Sequence, residues 1–94
     1  MKKNIKSIEI IVSGRVQGVS FRYFTVQQAN LFQILGNVRN TPDGKVKIIA
    51  LGDEGNLENF IEAVKQGPRL SRVEDIQISP LKSHQDFTNF RIEY

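Results

Sequence analysis

Cysteine is absent from the 94 residues, and histidine occurs once, at His84. The first absence removes disulfides, thiolate nucleophiles and cysteine-based metal sites together. Long apolar runs are missing too. The stretch over residues 8–12 is interrupted by Glu9 and is far shorter than the roughly 20 residues a membrane span needs. No secretory leader is read at the start, so a cytoplasmic protein without membrane contact is expected. Neither sign of charge dominates: 13 basic and 10 acidic residues are interspersed and leave a net +3. That mild excess suits a small anionic ligand better than nucleic acid, which calls for a clustered basic stripe.

What is present fits one domain over residues 1–94, with residues 1–6, including Lys2, Lys3 and Lys6, read as a solvated tail. Residues 7–13 are β-branched and roughly alternating, which predicts a strand with Ile8, Ile10 and Val12 on one face. Two glycines break the pattern between Gly14 and Ser20, which reads as a loop. Helical spacing follows to about Phe32, with Phe21, Thr25, Ala29 and Phe32 on one face and Ser20 as the expected N-cap. Thr41-Pro42-Asp43-Gly44 has the chemistry of a tight turn, so residues 34–51 form a β-hairpin. Leu57, Phe60, Ile61 and Val64 give an amphipathic stripe that Gly67-Pro68 ends. Residues 73–79 predict a further strand, and Phe90, Ile92 and Tyr94 alternate in a short closing one.

Strand, helix, hairpin, helix, strand is the order of an α+β, ferredoxin-like split-βαβ sandwich. It implies an antiparallel sheet, both helices on one face, and a short extra strand at the C-terminus. The hairpin's first strand is expected to neighbour the first strand of the chain. Many unrelated activities use this architecture, so the fold alone assigns none.

Gly14-Arg15-Val16-Gln17-Gly18-Val19-Ser20-Phe21-Arg22 runs from a strand through a glycine-bearing loop into a helix start. Successive amides in such a loop can form an anion nest, and the helix N-terminus adds partial positive charge. Arg22 in the first turn opposes the macrodipole by about 0.3–1 kcal/mol, an arrangement that an anion between the two would relieve. A guanidinium grips two phosphate oxygens in a planar fork. A solvated arginine after an ordinary strand–helix turn has the same composition, so loop chemistry by itself leaves both readings standing.

The stretch resembles the first motif of the acylphosphatase family, G-R-V-Q-G-V-x-F-R. The family's second block, G-x-V-x-N, a turn and G-x-V, is matched by Gly36-Asn37-Val38-Arg39-Asn40 and Gly44-Lys45-Val46. Thr25, Ala29, Phe60, Gly67-Pro68 and the closing Phe90-Arg91-Ile92-Glu93-Tyr94 fall at the family's spacing, so the resemblance spans about residues 8–94. It implies a metal-free, cofactor-free hydrolase that splits acyl phosphates into a carboxylate and inorganic phosphate. Arg22 would bind the phosphate, the main-chain amides of Arg15, Val16, Gln17, Gly18 and Val19 would cradle it, and Asn40 would orient the attacking water. A small-molecule acyl phosphate is then the partner, and a monomer is expected. Three positions depart from the family pattern. Ser20 stands for a glycine or cysteine, Gln33 for a glycine after the first helix, and Asn37 for an aromatic.

The remaining polar residues have plainer readings. His84 lies in a polar stretch and reads as a solvated loop residue. Ser20 has no poised base to activate it as a nucleophile. Asp43, Asp53, Glu54, Glu58 and Glu62 form no open ligand set. Arg39 should face away from Asn40 by strand alternation. RNA-recognition modules share the architecture but carry aromatics on their central strands, and neither residues 8–12 nor 45–51 have any. A catalytically silent regulatory domain is the other alternative, against which both Arg22 and Asn40 are retained.

Overall fold

The computed structural model of the chain describes residues 4–82 and 86–94. His84 therefore lies outside the described residues. Ile5–Arg15 form β1, Phe21–Leu31 α1, Leu35–Asn40 β2, Val46–Asp53 β3, Glu54–Gln66 α2, Arg72–Pro80 β4 and Phe90–Ile92 β5. Four strands make the expected antiparallel sheet, and β5 joins it parallel to β2, so the five-stranded sheet is mixed, in the order β4-β1-β3-β2-β5. The architecture is ferredoxin-like α+β.

Alternation does most of the sorting. Ile10, Val12, Val38, Val46, Ile48 and Ala50 are fully buried on the face that the helices cover. Against them pack Phe21, Thr25 and Ala29 of α1 and Leu57, Phe60 and Val64 of α2. Each large apolar side chain so buried contributes about 1.5–3 kcal/mol. Thr25 tolerates burial because its hydroxyl donates to the carbonyl of Phe21 at 2.8 Å.

Four expectations need correcting. First, β1 starts at Ile5, inside the stretch read as a tail. Residues 5 and 6 pair with Asp53 and Gly52, and Asn4 and Lys6 bond the Glu54 side chain. Second, Arg15 is the last residue of β1, paired with Arg72, and the loop begins after it. Third, β2 does not pair with β1, because the hairpin's returning strand β3 inserts between them. Fourth, Ser20 sits at the start of α1 but makes no side-chain cap; its φ of 60° is left-handed, outside the extended region a capping serine uses.

Between Ser13 and Gly14 the β1–β4 register shifts by one residue, leaving Glu74 of β4 without a partner across the ladder. Gly14 has φ +123°, and a Cβ there would collide with the Arg72 carbonyl, so only glycine fits. At the far end of α1, Gln33 takes the place of the usual glycine with φ 58°. The amide of Ile34 bonds the Ala29 carbonyl at 2.8 Å and that of Gln33 bonds Asn30 at 3.4 Å, a Schellman closure built without glycine. Among the described residues no helix is long and apolar enough to cross a membrane.

Candidate active site

Strand register brings the two motifs to one level. Val12 pairs with Val46, and Val46 pairs with Asn40, so the end of β2 lies beside the end of β1, two strand spacings or about 10 Å away. The loop after β1 crosses that gap toward α1. Between loop, helix and β2 lies an open cavity of about 320 Å³.

Arg22 and Asn40 both line it. Of the loop residues expected to cradle phosphate, Val16 and Gly18 line the cavity, whereas Arg15, Gln17 and Val19 do not. Val16 is buried and Val19 packs against the core, anchoring the loop from below. Gly18 (φ 72°) and Ser20 (φ 60°) give the loop two left-handed residues, the kind of backbone from which anion nests are made. Among the described residues no main-chain carbonyl accepts from the amides of residues 16–19 outside the regular elements.

Arg22 is half-buried in the first turn of α1, which contains no acidic residue. Among the described residues no carboxylate lies within ion-pair distance of it. The Tyr94 ring lies with its centroid 5.0 Å from Cζ. Because that ring is exposed, the cation–π contact contributes about 0.5–1 kcal/mol, enough to bias the side chain but not to neutralise it.

Asn40 closes β2 with its Oδ1 enclosed and without a hydrogen-bond partner among the described residues. Such an orphan acceptor costs about 1–3 kcal/mol. A half-turn about χ2, a soft torsion, exchanges the carbonyl and amino ends, so the side chain can offer a water either an acceptor or a donor. Arg39 points the other way, exposed beside Lys47 in a separate cavity on the open face of the sheet, as alternation predicts.

Sequence reasoning missed Ser20, Phe21, Tyr23 and Ile92 as cavity residues. It also missed the side chain of Gln17, whose Nε2 donates to the carbonyls of Thr41 at 2.9 Å and Lys45 at 2.8 Å. The turn it grips is held together locally. Thr41 N–H donates to Lys45 O at 2.9 Å, Gly44 N–H donates to Thr41 O at 3.1 Å, and the Thr41 hydroxyl donates to the Asp43 carboxylate. That hydroxyl, the largest influence, holds the Asp43 carboxyl below the ordinary aspartate range. Among the described residues no group of three metal-ligating side chains occurs.

The acylphosphatase family model matches residues 8–92. A curated acylphosphatase of Bacillus subtilis is 46% identical over 85 residues, covering 90% of this chain and 93% of the relative. One of Archaeoglobus fulgidus is 43% identical over 88 residues, covering 94% and 98%. The crystal structure of acylphosphatase from Bacillus subtilis matches with a TM-score of 0.92 at 43% identity, covering 97% of this chain and 100% of that one. With the family's two motifs converging on one cavity, this chain belongs to the acylphosphatase family.

Proposed function

We propose that this chain hydrolyses the carboxyl–phosphate bond of small acyl phosphates, with Arg22 holding the phosphoryl group and Asn40 orienting the attacking water. The oxygen of water forms the new bond to phosphorus. The bond from phosphorus to the acyl oxygen breaks, and its electron pair leaves with the carboxylate. The proton lost by water passes to the substrate's own phosphate oxygens or to solvent, since asparagine is no base.

The chemistry needs little more than this. A carboxylate, with a conjugate-acid pKa of about 4–5, leaves without a proton from the enzyme. In a loose phosphoryl-transfer transition state the protein's task is positioning and charge stabilisation. One arginine, loop amides and one carboxamide meet it, and the reaction is taken to be metal-independent. The cavity, at about 320 Å³, is at the small end of ligand sites, which favours a compact acyl group. The enzyme is taken to act as a cytoplasmic monomer. Nucleic acid is not a partner in this reading, because β1 and β3 carry no aromatic residue to stack a base.

The observation that carries the proposal is the meeting of Arg22 and Asn40 at one cavity from elements that share no ladder. Arg22→Ala should lower kcat/KM for a simple aryl acyl phosphate by roughly 10³-fold or more, the range for a preorganised charge contact. Parent turnover should be undiminished by chelator. Inorganic phosphate binding the Arg22 variant as tightly as the parent would refute the phosphate-holding role.

A further inference from the structure

We infer that Gln17 is a positioning residue: its side chain fastens the phosphate loop to the turn after Asn40 and so sets where the water stands relative to the phosphoryl group. The inference rests on the water-orienting reading of Asn40 and adds the means by which that side chain is kept in register with the loop.

Topology creates the need for such a link. β3 separates β1 from β2, so no ladder joins the loop after β1 to the strand that carries Asn40. The loop contains two left-handed residues, one of them Gly18, and that backbone has freedom to lose. Gln17 bridges the gap across 24 and 28 positions of sequence, to Thr41 O and Lys45 O. Both hydrogens of its NH₂ group have an acceptor, so the donor capacity of the amide is fully used. The two acceptors flank the turn, and Thr41 follows Asn40 directly. Among the described residues these two bonds are the hydrogen-bonded link between residues 16–20 and residues 40–45. Val16 and Gly18 line the cavity while Gln17 does not, so the clamp lies outside the cavity between two residues that form its wall.

The turn does not need Gln17 to stay closed, because Thr41 and Lys45 also bond each other. Loss of the clamp should therefore leave each half of the site intact and misplace one against the other. Misplacement on the order of 1 Å costs about 10²-fold in rate.

Gln17→Met keeps length and bulk and removes both donors. Its expected signature is a kcat lower by roughly 10- to 100-fold, with KM and the inhibition constant of inorganic phosphate within about 3-fold of the parent. In an Asn40→Ala background the same change should cost less than about 3-fold, because the group it positions is gone. Losses that multiply in full, or a single variant with parental kcat, would overturn the clamp while leaving the Asn40 reading intact. Parental kcat in Asn40→Ala would overturn both. Should the methionine variant not fold, Gln17→Glu serves instead: its kcat relative to the parent should rise as pH falls through the carboxylate range, since only the protonated acid donates. A flat ratio would count against the proposal.

Discussion

Asn40 joins two features that oppose each other in energy: a place on the cavity wall, and a carbonyl oxygen enclosed without a partner. Folding alone gains nothing from that oxygen, and an alanine would leave no unpaired acceptor behind. Asn40→Ala is therefore expected to separate activity from stability. The kcat should fall roughly 10²–10³-fold, as for loss of a catalytic hydrogen-bonding side chain, while the urea midpoint stays equal to or above the parent's. Steady-state kinetics and denaturant titration of one preparation test both halves. A variant destabilised by more than about 1 kcal/mol would show that the oxygen has a partner in the folded protein. At this scale the motifs made Arg22 and Asn40 legible. The side chain of Gln17 was not, because it lies in the irregular stretch between β1 and α1, where no period states which way a side chain points. Left-handed backbone defeats the capping reading of Ser20, since a serine cap needs an extended φ.

Helices and hairpin were legible because their signals are local: an apolar stripe in α2, a Thr-Pro-Asp-Gly turn between β2 and β3. The neighbour of β1 was not, since a strand's alternation states which face is buried and not which strand lies beside it. The closure of α1 shows a local rule being broken at a cost. Gln33 was recognised as standing where the family has glycine, and it adopts the left-handed conformation regardless, completing both Schellman bonds. A non-glycine residue there costs about 1–2 kcal/mol, against which glycine's larger unfolded-state entropy offsets about 0.5–1 kcal/mol. Gln33→Gly should therefore raise stability by about 0.5–1 kcal/mol, or the melting temperature by roughly 2–8 °C. Calorimetry measures the shift, and because Gln33 does not line the cavity, kcat/KM should match the parent's. A lower melting temperature would mean that the Gln33 side chain contributes contacts worth more than its backbone strain. Ser20→Gly poses the same conformational question but changes the cavity wall, so it is the poorer test.

Across the whole molecule, β1 works as a spine with a polar fastening near each end. Gln17 follows its C-terminal end. At the other, the Lys6 ammonium and the Asn4 amide donate to Glu54 at 2.9 and 2.6 Å, and the Glu54 N–H donates to the Asn4 carbonyl at 3.0 Å. Eleven residues of strand, about 35 Å, separate the two ends. The Lys6 bond first, and the Asn4 bond second, hold the Glu54 carboxyl below the ordinary glutamate value of 4.5. A carboxyl with a depressed folded-state value contributes stability above its unfolded value and loses it as pH falls through the folded one. Glu54→Gln should accordingly lower the urea midpoint at neutral pH, and the gap from the parent should close progressively below 4.5. The group is exposed, so the effect is small and shrinks in molar salt. Lys6→Met in the glutamine background should then add little of its own, because the charge partner has gone. Turnover of acyl phosphate should be unaffected, the change being a strand's length from the cavity. A midpoint gap as wide at pH 3 as at pH 7 would mean that Glu54 stabilises the fold through packing or capping, with its charge irrelevant.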